Sequence, residues 1–168
     1  VGNAMKLPIM EIFSSIQGEG AMMGMPVTFV RFFGCNLSCP WCDTKESWVK
    51  KEGNMTIGEI VAKCDKAIVV LTGGEPCIND IDILVELLQL HGKFVCIETN
   101  GTQKTPINVD WVTASPKPPE YTIHGECFFN ELKYVVDDNF DPETCVPADS
   151  KKACGAVWLQ PCDFGKGN

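Results

Sequence analysis

Residues 35–42 read Cys-Asn-Leu-Ser-Cys-Pro-Trp-Cys, which places Cys35, Cys39 and Cys42 in a C-x3-C-x2-C spacing. Three thiolates on one short loop can hold three corners of a cubane iron–sulfur cluster. The fourth iron then lacks a protein ligand and is open to a substrate or cofactor. Three other readings compete. A zinc knuckle needs a fourth ligand nearby, yet His91 and His124 are distant in sequence and no second C-x2-C follows. A redox pair, Cys39-Pro-Trp-Cys42, would open a helix in a thioredoxin-like unit and leaves Cys35 and the following Asp43-Thr44 unexplained. Unrelated buried thiols are the last.

Other residues of chemical interest sit where strands are expected to end. Thr72-Gly-Gly-Glu-Pro76 follows an apolar run directly. Two glycines let backbone approach a ligand closely. Glu75 beside them offers a carboxylate suited to an ammonium group. Ser115-Pro116-Lys117 and Gln160-Pro161-Cys162-Asp163 close two further runs. Arg31 is the single arginine of the chain and lies in an otherwise apolar run, Val-Thr-Phe-Val-Arg-Phe-Phe. A buried guanidinium must find an anion. Its planar fork matches a carboxylate bidentately, on a ligand or within the protein.

Six apolar runs are predicted as strands: 27–33, 67–72, 94–98, 110–114, 130–136 and 156–159. Most are continuous rather than alternating, the look of strands covered on both faces in a parallel sheet. Two helices are predicted. Thr56-Ile-Gly-Glu59 is a capping box, and Ile57, Ile60, Val61 and Cys64 form one stripe behind it. Over 80–91, Ile81, Leu84, Val85 and Leu88 repeat that spacing, with Gly92 suited to the C′ position. The link 102–108 is too short for a helical crossover. The expectation is a strand-rich, incomplete (β/α) barrel of about six parallel strands with few helices, in one domain over 5–168. Residues 1–4, ahead of Met5, read as a remnant of recombinant expression. Functional residues of such sheets gather at the carboxyl ends of the strands, so the stretches above share one rim.

Composition narrows the partners. Of 168 residues, 45% are hydrophobic and 21% charged, the balance of a globular protein. Net charge is −8, which disfavours nucleic acid. No apolar run is long enough to span a membrane. With no secretory leader in view, the ten cysteines are expected in the cytoplasm, where thiols stay reduced. Cys64, Cys77, Cys96, Cys127, Cys145, Cys154 and Cys162 are scattered and read as small buried hydrophobes.

The cysteine spacing, with an aromatic residue before the last cysteine, resembles the radical S-adenosylmethionine (SAM) superfamily. The resemblance extends to 7-carboxy-7-deazaguanine synthases. It is carried in order by Ser-Ser-Ile-Gln-Gly-Glu-Gly at 14–20, Arg31, the cysteine loop, Asp43-Thr44, Leu-Thr-Gly-Gly-Glu-Pro-Cys at 71–77, Ile-Glu-Thr-Asn-Gly-Thr at 97–102, Trp-Val-Thr-Ala-Ser-Pro-Lys at 111–117 and Leu-Gln-Pro at 159–161. It implies a 4Fe–4S cluster on Cys35, Cys39 and Cys42. It implies SAM bound by Trp41, Asp43, Gly74, Glu75, Ser115, Pro116, Lys117, Gln160, Pro161, Cys162 and Asp163. It implies a substrate bound by Ile16, Gln17, Gly18, Arg31 and Thr72, and Mg²⁺ held by Thr44.

The implied reaction converts 6-carboxy-5,6,7,8-tetrahydropterin to 7-carboxy-7-deazaguanine with loss of ammonia, on the route to queuosine. The cofactor carries the radical chemistry. A one-electron donor such as a flavodoxin and a homodimer are further implications; no catalytic base is indicated. Other radical SAM enzymes, glycyl-radical activases among them, share the cysteine spacing but not the Gln-Gly-Glu-Gly loop with Arg31. A cluster protein without turnover is the remaining alternative. It is prompted by a tail shorter than the family's after the Gln-Pro block, expected to reflect truncation or a minimal variant.

Overall fold

The computed structural model describes residues 5–138, 140–146 and 155–162. Its strands are β1 (Lys6–Leu7), β2 (Ile9–Ile16), β3 (Pro26–Phe32), β4 (Met55–Thr56), β5 (Ile68–Gly73), β6 (Phe94–Thr99), β7 (Trp111–Ala114), β8 (Glu131–Val136) and β9 (Ala156–Pro161). Its α-helices are α1 (Ile57–Lys63), α2 (Asp82–Leu90) and α3 (Pro142–Cys145). Among the described residues one sheet runs β2-β3-β5-β6-β7-β8-β9. From β3 to β9 every pairing is parallel. An open, strand-rich barrel results, as expected.

The sheet has one strand more than the sequence pattern gives. β2 pairs antiparallel with β3 at the edge. Its last residues, Ser14 to Ile16, belong to the motif block at 14–20, which reads as loop until the pairing is seen. β1 and β4 form a separate two-stranded pair.

α1 starts at its expected capping box, whereas α2 starts at Asp82 without a side-chain cap. The Thr56 hydroxyl accepts from Glu59 N at 3.3 Å, and Glu59 Oε2 accepts from Thr56 N at 2.8 Å. Gly92 takes φ +73 after α2, as the C′ position asks. The step from β6 to β7 makes its parallel connection without a helix, through the Asn100–Thr102 turn, where Asn100 Oδ1 accepts from Thr102 N at 3.0 Å.

Side chains alternate across the strands and build three buried clusters, of which the smallest joins Ala114 of β7 and Leu132 and Tyr134 of β8 to Cys127 and Val146, under Tyr121 and Phe140. Val30, Phe32, Val69, Leu71, Val95, Ile97 and Val112 face outward and are buried with Ile60, Leu84 and Leu88 of α1 and α2. Facing inward, Val27, Ile68, Val70 and Cys96 pack with Met22, Phe29 and Trp111. Above that apolar layer the inward positions turn polar: Arg31, Thr72, Glu98, Thr113 and Lys133. Arg31 lies opposite Thr72 on β5, and Glu98 opposite Thr113 on β7.

Candidate active site

The polar positions line a cavity of about 570 Å³ opening at the carboxyl ends of the parallel strands. One wall is the cysteine loop. Cys35, Cys39 and Cys42 all line the cavity, together with Trp41 and Asp43. Cys42 N donates to Cys39 O at 3.0 Å, so the last two cysteines share a turn. Leu37 N donates to Cys35 Sγ at 3.5 Å. The loop is tied sideways to the β6–β7 turn, where Asn100 Nδ2 donates to Asn36 Oδ1 at 2.9 Å and Asn36 Nδ2 to Thr102 Oγ1 at 2.7 Å.

Behind this wall the two glycines lock backbone against backbone. Gly73 has φ +117, and a Cβ there would meet Phe32 N at 2.4 Å. A Cβ on Gly74 would meet Gly34 O at 2.0 Å. Glu75 N donates to that same Gly34 O at 2.8 Å. The end of β5 is therefore seated on the residue that precedes Cys35.

Glu75 is placed otherwise than its residue type suggests. It is fully buried, off the cavity wall. Its carboxylate accepts from Cys77 N (3.0 Å), Thr99 Oγ1 (2.7 Å) and Asn100 N (2.6 Å). It braces the Gly-Gly loop against β6. Burial raises its pKa, and those donors oppose the rise.

Burial also pushes the Cys35 thiol up, opposed by the Leu37 amide and reinforced by Glu75 and the two other thiols. Burial raises Cys39, with Lys117 pulling the other way. Cys35, Cys39 and Cys42 line one cavity within eight residues of chain, an arrangement that suits a cubane, which takes one thiolate at each of three corners. The half-buried, reduced thiols and the amide at Cys35 suit such a group.

The same cavity is lined by Ser115 and Lys117 after β7, and by Gln160, Pro161 and Cys162 at the end of β9. Lys117 Nζ donates to Ser115 Oγ at 2.6 Å. Burial, with the cation of Lys133 nearby, brings Lys117 from 10.5 down to about 8. Pro116 is buried and does not line the cavity. Asp163 lies outside the described residues.

Arg31 answers its anion question within the protein and still borders the cavity. Its Nε lies 2.8 Å from Glu11 Oε1 on β2, an ion pair rather than an aligned hydrogen bond. Its Nη1 donates to Thr44 Oγ1 at 2.9 Å, and that hydroxyl donates to Asp43 Oδ1 at 3.0 Å. Thr44 thus sits beside the cavity rather than in its lining. Ile16 ends β2 with its side chain 57% exposed, away from the cavity.

The floor is the segment 17–24, between β2 and β3. Gln17 and Gly18 line the cavity, as does Glu19. Gln17 Nε2 donates to Glu98 Oε1 at 2.9 Å, and Thr72 Oγ1 to Glu98 Oε2 at 2.8 Å. Glu19 is paired with Lys133. Burial draws the Lys133 ammonium down, but Glu98, Glu19 and Asp43 outweigh it and hold it above its ordinary value. Glu98 and Lys133 were not singled out as site residues in the sequence. Glu98 is a lone charge at an inward position of an apolar run, the same signal that marks Arg31, and Lys133 shares its run with Glu131, two residues before it.

Residues 29–121 match the family model of the radical SAM superfamily. The chain is 50% identical over 159 residues to a 7-carboxy-7-deazaguanine synthase from Bacteroides thetaiotaomicron, covering 92% of this chain and 81% of that one. It is 40% identical over 165 residues to the enzyme of the same name from Haemophilus influenzae, covering 95% and 78%. Its fold superposes on the crystal structure of QueE from Escherichia coli with a TM-score of 0.78 at 33% identity, over 93% of this chain and 84% of that one.

Proposed function

The chain belongs to the 7-carboxy-7-deazaguanine synthase family of the radical SAM superfamily, and on that premise we propose how its residues act on a carboxylated tetrahydropterin. It is a radical SAM lyase that forms 7-carboxy-7-deazaguanine from 6-carboxy-5,6,7,8-tetrahydropterin. The observation that carries the reading is the convergence of the separate motif stretches on one cavity. Cys35, Cys39 and Cys42 would hold the 4Fe–4S cluster. When bound, cluster and SAM supply a one-electron cleavage and a hydrogen-abstracting adenosyl radical.

This chain's own residues bind and orient. Trp41 borders both the main cavity and a neighbouring one of about 380 Å³ with Pro118 and Tyr121, a setting suited to an adenine ring. The backbone at Gly74, Ser115 and Gln160, with Pro161 and Cys162, would frame the rest of SAM; Pro116 and Glu75 support that frame from behind. Lys117 would pair with a SAM carboxylate as a point charge. On the substrate side, Arg31 would take the pterin carboxylate while Gln17, Gly18 and Thr72 meet the ring. The Thr44 hydroxyl with the adjacent Asp43 carboxylate offers hard oxygen donors for Mg²⁺. The apolar layer below shuts water out of the barrel.

A one-electron donor of the flavodoxin type and a homodimer complete the reading. So does a cytoplasmic setting, supported by the reduced cysteines. Among the described residues no helix is long and apolar enough to cross a membrane.

The test is anaerobic turnover after reconstitution with iron and sulfide, using dithionite, SAM, Mg²⁺ and the carboxytetrahydropterin. The expected product by mass spectrometry is 7-carboxy-7-deazaguanine, reduced when Mg²⁺ is withheld. Formation of 5′-deoxyadenosine alone would overturn the substrate assignment and leave the cluster and SAM assignments standing.

A further inference from the structure

The floor segment hangs from a buried carboxylate outside the cavity lining. Glu131 opens β8 and is 1% exposed. Ala21 N donates to its Oε2 at 3.0 Å and to its Oε1 at 3.3 Å. Thr113 Oγ1 donates to Oε1 at 2.7 Å, and Trp158 Nε1 to Oε2 at 2.6 Å. One side chain thus ties β7, β8 and β9 to the floor. The seat is close: Gly20 has φ +66, and a Cβ there would stand 2.5 Å from Glu131 Oε1. Gln17 and Glu19 reach the cavity from the same segment. Both oxygens of this buried carboxylate are taken up as acceptors. An amide in its place keeps one acceptor and turns an N–H₂ toward the remaining donors.

We propose that Glu131 is a positioning residue: it fixes the floor segment, and through Gln17 and Glu19 it sets affinity for the ring substrate while leaving the SAM side untouched. This rests on the reading of residues 17 and 18 as substrate contacts. A merely structural glutamate would weaken both sides together.

The test uses the reconstituted full chain with Glu131→Gln and, from the opposite face of the seat, Gly20→Ala. Each is expected to raise KM for the carboxytetrahydropterin about tenfold or more, with KM for SAM changed less than about twofold. Hydrogen exchange should quicken in the peptide over 17–25 and stay unchanged over 68–73 and 94–99. Trp158→Phe, which leaves the Ala21 tie intact, should leave the pterin KM within about twofold of wild type. Equal losses for SAM and pterin, or exchange quickened throughout the sheet, would overturn the proposal, as would an unchanged 17–25 peptide. Exchange needs no turnover, so it judges the tie even if the wild type makes no product, an outcome that would sink the functional reading instead.

Discussion

The two halves of the sheet differ in what covers them and in how they are tied to the cavity floor. From β3 to β6 the outward faces lie under α1 and α2, in a core of Val, Ile, Leu and Phe that is almost wholly excluded from solvent. At β9 the same sheet is bare: Val157, Trp158 and Leu159 are each more than a third exposed. β7 and β8 keep a small apolar cluster of their own around Leu132 and Tyr134, and the inner face of this half is tied to the segment 17–24 by Glu131 and by the Lys133–Glu19 pair. Apolar burial is strong and indifferent to direction. Charge-assisted hydrogen bonds are fewer but aimed. The cluster wall stands on the first and the substrate floor on the second. A cofactor site needs a rigid backing, and a cavity that must read one small molecule needs aimed groups.

The comparison can be broken in stages. Leu84→Ala empties a fully buried position under the cluster half and should cost about 3 kcal/mol in urea unfolding, as such core truncations do. Gly74→Ala drives a Cβ into Gly34 O. It should unseat the cysteine loop, lower the iron retained after reconstitution and reduce product and 5′-deoxyadenosine alike, on the order of a hundredfold. Product lost while 5′-deoxyadenosine persists would show the two walls to be less distinct than described.

Lys117→Met should weaken SAM binding about tenfold in calorimetry, the loss of one charge pair in a partly buried site, while raising stability without ligand. The pH dependence carries the same opposition. The folded pKa is about 8 against an ordinary 10.5, so between those values the unfolded chain binds more protons. This group's contribution to stability therefore rises with pH across that window. The affinity for a carboxylate falls over the same window as the ammonium is lost. A SAM affinity flat from pH 7 to 10 would remove Lys117 from the site. Smallest is Leu159→Ala on the bare strand, expected to shift stability by less than about 0.5 kcal/mol.

Much of this was legible in the sequence because it is local. α1 and α2 follow from capping residues and a 3.6-residue repeat. The cysteine loop is visible as spacing alone. β2 was not legible, because Ile-Met-Glu-Ile-Phe-Ser-Ser-Ile alternates poorly and runs into a motif. Without it, Arg31 has no visible partner, since Glu11 stands opposite only once β2 pairs with β3. The inward polar row was present as single charges in apolar runs. The continuous apolar outward positions masked its period of two. Glu75 misled because residue type reports charge and not direction, and its carboxylate points back into the loop. Glu131 shows in the sequence only as a second charge in the run of Lys133, and its three partners come from three other parts of the chain.

That distance sets an order of assembly. Ala21 is 110 residues from Glu131 in sequence, and Glu19 is 114 from Lys133. Closing so long a loop adds little to its entropic cost, which grows only with the logarithm of length. It does place the contact late, since distant pairings form after local ones. A nascent chain folded through β7 already carries all three cluster thiols, the Gly-Gly loop and Glu98, which accepts from Gln17, but it lacks Glu131 and Lys133, the further anchors of the loop after its second strand. The arrival of β8 completes that anchoring, and with it the substrate side of a cavity whose cofactor side is already built.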